Sequence, residues 1–532
     1  SSDVCSSDLA VPGIRDLSLS TNGTRLAEFA GELRRAGVAR LNVSLDSLDR
    51  NRVAQIARRD VLPQILDGLE AARGLGFRQI KINMVALPDT SHDEIEAMTE
   101  YCIARGFILR LIETMPVGQS GRNAGFIDLR PVMQRMRAQF GLIDGVAVSE
   151  PQIQPKSLGS LAIKQGSTTV STAGKPLLDY FTYANLYQPC AALSTAATGS
   201  PGAAFIAGYA ANRCTALKAK GLLSGADTAA QATEALQKLH AYGWSAEHDV
   251  FHASHHALAT PSIVVTYLNT YGRFSVTDNV CGFSFATTAP AGTVTATSAA
   301  VQAGIFAVGN GVPPTGGINL VYNDAAGGAR RDVLAVSPST GLADGALDGA
   351  LCARALVTGS DPVSGAALTG TLLAQSERVR QGIREVQMEG RLGGKPTIIV
   401  SGRSDTLIPV NHASRAYYAM SRQADGAASR LRYYEVTNAQ HFDAFIDNAA
   451  LPGYDTRLVP LHVYFNQGMD LMYAHLKNGA ALPASQVVRT TPRGGTAGSA
   501  PDISAANLPP IAATPAGADS IALDNGVLAV PE

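Results

Sequence analysis

The stretch KPTIIVSGRSDTLIPVNHASRAYYAMSRQADGAASRLRYYEVTNAQHFDAF, Lys395–Phe445, decides how the longer part of this chain is read. Lys395–Val400 is an apolar, β-branched run of strand length that ends in Ser401-Gly402-Arg403-Ser404-Asp405. A helical pattern follows over Val410–Ala424, then a second strand over Leu431–Val436, and then Thr437-Asn438-Ala439-Gln440-His441-Phe442-Asp443-Ala444-Phe445. Strand, helix and strand in that order predict two neighbouring parallel strands whose following loops leave the sheet at the same edge. Asp405 and His441 sit in those two loops, so a carboxylate and an imidazole are expected to meet there. Alone, Asp405 reads as a turn residue ahead of a helix and His441 as a loop histidine. Their joint placement favours a working pair.

The order strand–acid–helix–strand–histidine is that of the last two members of an α/β-hydrolase triad. The Asp fixes the imidazole tautomer and stabilises the imidazolium that forms when the His takes a nucleophile's proton. In that order the serine must precede Asp405, on a sharp strand-to-helix turn of form GxSxG. No GxSxG occurs in the 532 residues, and Ser200 in TGSPG and Ser224 in LLSGAD lack the strand such a turn requires. The expected site is therefore His441 and Asp405 with the nucleophilic serine absent. Removing a triad serine lowers kcat by a factor of order 10⁶.

Upstream of this stretch, Tyr209–Gly243 reads as a helical pair broken at Ser224-Gly225, and Pro261–Tyr271 and the Gly/Thr-rich Val280–Val312 read as loop and short strand. His248, His252, His255 and His256 lie in HDVFHASHH, without the Cys or carboxylate spacing of a metal site and without HExxH, so no metal is expected. His412, at the start of the helix after Asp405, reads as surface or structural. Cys190, Cys214, Cys281 and Cys352 allow two disulfides in an oxidising compartment, with buried free thiols as the equal alternative. The tail from about Thr491 is rich in Pro, Ala and Gly and reads as loosely ordered.

Further towards the N-terminus the composition breaks. Ser1–Ile143 carries 35 charged residues, 17 of them Arg and a single Lys, Lys81, whereas the other 389 residues carry 52. A shift this abrupt, with no linker at the seam, suggests two sequences of different origin joined directly. Ser1–Ala10, SSDVCSSDLA, fits neither strand nor helix and is set aside as a non-native leader. Leu17–Leu19, Arg40–Ser44, Arg78–Asn83 and Ile108–Ile112 read as buried strands, alternating with helical patterns over Arg25–Ala36, Val61–Gly74 and Ser91–Arg105. Such alternation implies a parallel sheet, doubly wound or part of a β/α barrel. Ser20, Ser44 with Asp46, Lys81 with Asn83, and Glu113 with Met115 are expected at strand C-terminal ends, where parallel β/α folds bind small molecules.

Two resemblances sharpen this reading. LSLSTNGT, ARLNVSLDSLD, IKINMVAL and LRLIETMPVG resemble the radical S-adenosylmethionine GTP 3′,8-cyclase of molybdenum cofactor synthesis, over about Val11–Phe140. That resemblance implies that Ser44 and Met115 contact S-adenosylmethionine and that Ser20 and Lys81 contact GTP. The family holds an iron–sulfur cluster on CxxxCxxC, whereas only Cys5 and Cys102 lie in this part, and a cluster takes three or four thiolates. Radical chemistry is therefore not expected. DGVAVSEPQIQP, LLDYFTYANLYQPCAAL, GYAANRC, NTYGRFSVTDNVCGFSF, GNGVPPTGGINLVYND, GRSDTLIPVNH, VTNAQHFDAF and PGYDTRLVPLHVYFNQGMD resemble the D-3-hydroxybutyrate oligomer hydrolases, from about Asp144 to the C-terminus. That resemblance implies a cofactor-free serine esterase. It would cut 3-hydroxybutyrate oligomers and dimers from polyhydroxybutyrate breakdown to monomer in an extracellular or periplasmic setting, with its serine just upstream of DGVAVSEPQIQP.

The expected architecture is α/β throughout. Residues 1–10 are a leader, 11–143 a partial radical-SAM-like β/α barrel, 144–490 a truncated α/β-hydrolase with a helical insertion, and 491–532 a tail. The alternatives in function are a nucleotide- and S-adenosylmethionine-binding cyclase fragment, or a joined reading frame without activity. Lys+Arg at 43 against Asp+Glu at 44 argues against a nucleic-acid partner. No apolar run reaches the length of a membrane span, and no signal peptide is visible.

Overall fold

The computed structural model describes residues 17–77, 79–87, 89–113, 129–140, 155–156, 158–170, 174–275, 278–296, 298 and 318–532. The chain divides into two compact units, Ser1–Asp144 and Gly145–Glu532.

In the first unit, β1 (Leu17–Thr21), α1 (Leu26–Arg35), β2 (Val38–Ser44), α2 (Arg50–Ala57), α3 (Leu62–Gly74), β3 (Gln79–Ala86), α4 (His92–Arg105), β4 (Ile108–Glu113) and α5 (Leu129–Phe140) follow one another. The four strands form one parallel sheet in the order β1-β2-β3-β4. Alternation decides its faces: Leu41, Val43, Ile80, Ile82 and Met84 point into a core shared with Leu26, Ile65, Leu69, Ile95 and Met98 of the helices. The opposite side of β2 and β3 carries Arg40, Asn42, Ser44, Lys81 and Asn83. The start of α4 is fixed by a capping box, Ser91 accepting from the Glu94 amide and Glu94 from the Ser91 amide. The Val132 and Met136 side chains of α5 belong to the same core.

The second unit is mixed. Its helical part surrounds α6 (Leu177–Ala191), thirteen of whose fifteen residues are buried. Around it lie α7 (Ala210–Ala219), α8 (Thr228–Ala241), α9 (His252–Leu258), α10 (Thr260–Gly272), α11 (Leu347–Thr358) and α12 (Gly370–Val386); all but α9 share one hydrophobic core with it, and Ala253 of α9 packs in a smaller cluster with Ile206 and Tyr209. Disulfides Cys190–Cys214 and Cys281–Cys352 tie this part together. Segment 261–271, which the sequence reads as loop or strand, is helix α10. Its Pro261 sits at the helix start, where a missing N–H costs nothing, and Ile263, Val264, Val265 and Leu268 are all buried. A helix covered on most sides shows no polar stripe, so its β-branched run imitates a strand.

Two sheets of this unit bear on the site and the tail, beside a three-stranded and a two-stranded antiparallel sheet among the described residues. A parallel sheet runs β12 (Thr397–Gly402), β13 (Leu431–Val436) and β14 (Gln486–Val488), with β5 to β11 falling between Ala162 and Ala343. A second sheet has the order β15 (Ala522–Asp524), β16 (Val527–Val530), β5 (Ala162–Gln165) and β6 (Thr168–Val170), with β16 parallel to β5. The tail is thus ordered against expectation: β16 closes on β5, and the Asp455 carboxylate accepts from the Gly498 and Ala500 amides. Side chains from both sheets, among them Ile163, Ile399, Tyr433 and Leu528, share a core with Tyr418 and its neighbours in α13 (Ser414–Asp425). A buried ion cluster reinforces it. Glu435 accepts from Arg403, from Arg415 at 2.6 and 2.7 Å and from the Tyr433 hydroxyl at 2.6 Å, and Arg415 also donates to Gln165 of β5 at 2.9 Å. No helix among the described residues is long and apolar enough to cross a membrane.

Candidate active site

β12 and β13 run in register from Thr397 opposite Leu431 to Gly402 opposite Val436. Beyond them the two loops are stitched together, the Arg403 amide donating to Val436 O at 2.8 Å and the Ser404 amide to Ala439 O at 3.0 Å. Asn438 turns the second loop with a φ of 56°, in the left-handed region that Asn tolerates. These constraints bring Asp405 and His441 together: His441 Nδ1 donates to Asp405 Oδ2 at 3.1 Å. The other oxygen, Oδ1, accepts from the Leu407 and Ile408 amides at 2.8 and 2.9 Å. Burial opposes the charge on Asp405. The hydrogen bond and charge of His441 and the two amides outweigh it and hold the carboxyl below its ordinary range.

The His441 side chain is 24% exposed and that of Asp405 6%, so the imidazole reaches solvent while the carboxylate is buried. Beside them opens a cavity of about 430 Å³ lined by Val400, Ile408, Phe442, Leu461 and Phe465 as well as the pair. The Phe442 ring stands edge-on to His441 at 4.6 Å. Asp443, two residues on, is structural. Its carboxylate accepts from the Leu461 and His462 amides at 2.8 Å each and starts helix α15 (His462–Asn478), α14 being the short turn Tyr454–Arg457. That role depends on a helix far along the chain and left no local signal.

The histidine-rich segment behaves as core. His252 and His255 share Gln188 through their Nδ1 atoms at 3.1 and 2.9 Å, and His256 bonds Tyr209 at 2.9 Å and Asn185 at 3.1 Å. His412 is buried, stacked on Tyr180 at 5.1 Å, and not at the surface. The rings of His248, His252, His255 and His412 surround Trp244 at centroid distances of 5.4 to 6.3 Å. Among the described residues no group of three or more His, Cys, Asp or Glu is arranged to hold a metal ion.

In the first unit Ser20, Asn42 and Lys81 occupy one row across β1, β2 and β3, and Asn42 Nδ2 donates to Ser20 Oγ at 3.5 Å. Ser44 lies two residues along the same face of β2 and lines a cavity of about 310 Å³ with Asn22, Thr24, Asp46 and Arg59. Ser20 and Lys81 do not line that cavity. Lys81 stands in the middle of β3, not at its C-terminal end, because the strand continues to Ala86. Met115 lies outside the described residues. The iron–sulfur cluster implied by the radical SAM likeness does not fit the cysteines present. Cys102 is buried in α4, where desolvation pushes its thiol up to about 12, and a cluster needs several thiolates.

Comparison with known proteins gives two family matches along the chain. Residues 129–532 match the family described as 3HB-oligomer hydrolase (3HBOH). The chain belongs to that family. The D-(-)-3-hydroxybutyrate oligomer hydrolase of Paracidovorax citrulli (strain AAC00-1) is 52% identical over 429 residues, covering 79% of this chain and 58% of that protein. The protein of the same name from Azoarcus sp. (strain BH72) is 51% identical over 392 residues, covering 74% and 54%. The chain therefore spans a little over half the length of these 3HB-oligomer hydrolases. Residues 4–102 match the radical SAM superfamily, a match that starts inside the ten residues expected to be a leader. Coproporphyrinogen III oxidase (HemN) from Escherichia coli, a radical SAM enzyme, covers 24% of the chain at 14% identity with a TM-score of 0.20, too low to carry weight.

Proposed function

We propose that residues 145–532 hold the acid and the base of a serine esterase site of α/β-hydrolase type acting on 3-hydroxybutyrate oligomers and dimers, and that the 532 residues include no nucleophile to go with them. The bond between Asp405 and His441 carries this reading, and membership of the 3HB-oligomer hydrolase family supports the substrate class. With Asp405 ionised, Nδ1 of His441 holds a proton against it. Nε2 is then the atom that would accept a serine proton and return it to the leaving hydroxyl. Phe442, Leu461 and Phe465 offer apolar surface to the methyl-bearing acyl units of the substrate. No cofactor enters this scheme. The two disulfides support an oxidising setting, extracellular or periplasmic.

The test is incubation of the protein with 3-hydroxybutyrate dimer and, separately, with a serine-directed phosphonate. No monomer above background and no labelled serine are expected. Stoichiometric labelling coupled to turnover would show a nucleophile within the chain and overturn the proposal.

A second reading concerns the first unit alone. The Ser20–Asn42–Lys81 row and the cavity at Ser44 support a remnant nucleotide-binding face of the GTP 3′,8-cyclase kind. Calorimetric titration with GTP checks it, and loss of any heat of binding in Lys81→Ala is the expected sign. Anaerobic reconstitution with iron and sulfide should leave no stoichiometric cluster absorbance.

A further inference from the structure

The cavity beside Asp405 and His441, at about 430 Å³, has the size of a small-molecule site, and its polar lining is uneven. Among the described residues neither a lysine nor an arginine lines it, whereas two carboxylates do, those of Asp405 and Asp443. Most polar side chains of the wall are engaged within the protein. Ser401 Oγ bonds Ser414 Oγ, Asp405 bonds His441 and two amides, and Asp443 accepts from the Leu461 and His462 amides. His462 differs. It is the first residue of α15 and exposed, and its ring lies against that of Phe465 at 5.5 Å between centroids. Among the described residues no group hydrogen-bonds either of its ring nitrogens. Its backbone amide is tied to Asp443, so the imidazole reaches the cavity from an anchored start of the helix.

We propose that His462 is a specificity-determining residue that hydrogen-bonds the terminal hydroxyl of a 3-hydroxybutyrate oligomer, so that the oligomer enters the cavity hydroxyl end first. The inference deepens the esterase reading of Asp405 and His441 and rests on it. Such an oligomer has two unlike ends, a carboxylate and a secondary hydroxyl, with esters between them. The carboxylate end is repelled by Asp405 and Asp443 and meets no cation in the described lining. The hydroxyl end carries no charge and asks for a group that both donates and accepts. An imidazole in its neutral form is such a group, with a proton on one nitrogen and a lone pair on the other. The terminal unit bears a methyl group on the same carbon as its hydroxyl. Phe465, in ring contact with His462, offers apolar surface for that methyl beside the polar partner for the hydroxyl. A site that bonds a substrate hydroxyl rejects the analogue without it, because its own polar group is then left unpaired.

The experiment uses substrate analogues as ligands, since no turnover of them is expected. The full 532-residue protein is titrated with the methyl ester of 3-hydroxybutyrate dimer, with the same ester lacking its terminal hydroxyl, and with the free dimer acid. The His441 imidazole resonances report binding at the cavity. The hydroxyl-bearing ester is expected to bind about fivefold more tightly than the ester without the hydroxyl, the scale of one neutral hydrogen bond. It should also bind more tightly than the free acid. His462→Phe should bind the two esters alike, and His462→Gln, which keeps a donor and an acceptor, should retain the preference. Both variants keep the backbone amide that bonds Asp443. Equal binding of the two esters by the parent protein, a preference that survives in His462→Phe, or tighter binding of the free acid would each overturn the proposal and leave the esterase reading standing. Failure of all three ligands to shift the His441 resonances would overturn both.

Discussion

A β-carbon on Gly402 would stand 2.3 Å from the carbonyl oxygen of Ala439. The loop that carries Asp405 and the loop that carries His441 therefore touch through bare backbone, and this close approach lets the two side chains meet. Gly402→Ala must part the loops. Overpacking of this kind costs about 1–3 kcal/mol. A lowered urea midpoint is expected, together with a change in the His441 imidazole resonances that marks loss of the bond to Asp405. Unchanged resonances would show that the pair does not depend on the contact.

Glu435 holds two buried guanidinium groups at once. Burial opposes its charge, but Arg415 and then Arg403 draw its carboxyl down to about 2. Its stabilising contribution is thus complete above the unfolded carboxylate range near pH 4 and lost as pH falls towards 2. Glu435→Gln leaves both arginines buried without a counter-charge, a change that costs about 3–5 kcal/mol. Chemical denaturation at pH 7 measures it, and the difference from the parent protein should shrink in strong acid.

The buried histidines make the helical part acid-sensitive at milder pH. Desolvation holds the rings of His255 and His412 down at about 3 and those of His248, His252 and His256 below their ordinary value, with Glu247 and Asp405 pulling His248 the other way. An unfolded chain binds protons at these rings below about pH 6.5, whereas the folded one resists. Stability should accordingly be full above that pH and fall steadily as pH drops through 6 towards 3. Trp244, the one tryptophan of the chain, lies among the rings and reports the loss by a red shift of its emission.

The two disulfides differ in the loop that they close, with sequence separations of 24 for Cys190–Cys214 and 71 for Cys281–Cys352. On chain entropy alone the first stabilises by about 3 kcal/mol and the second by about 4 kcal/mol. Cys281→Ser with Cys352→Ser should therefore lower the melting temperature more than Cys190→Ser with Cys214→Ser. The reverse order would point to packing, not loop closure, as the larger effect.

What could be read from the sequence was local. Leu431–Val436 is the observed β13 to the residue, and the strands of the first unit begin within two residues of where their apolar runs predict. The helix after Asp405 starts later than its pattern suggests, at Ser414. Residues 409–413 form a turn in which Pro409 O accepts from the His412 and Ala413 amides and Asn411 is drawn away to Gly243 O. The proximity of Asp405 and His441 was legible because two short loops decide it. The Arg403–Glu435–Arg415 cluster was not, since its members come from three elements and no spacing links them. The order of the tail was hidden for the same reason: Pro/Ala/Gly composition describes a chain without partners, and its partner, β5, lies at the far end of the unit.

That last pairing bears on how the protein is made. β5 leaves the ribosome well before β16, which flanks it in the finished sheet and lies more than 350 residues further along the chain. At ordinary elongation rates of about 5–20 residues per second, the β5–β6 hairpin waits on the order of tens of seconds for its neighbour. During that interval an edge with its apolar residues uncovered is open to chaperones and to other nascent chains. A stop codon ahead of Val527 would leave Asp405 and His441 encoded and β5 without that neighbour.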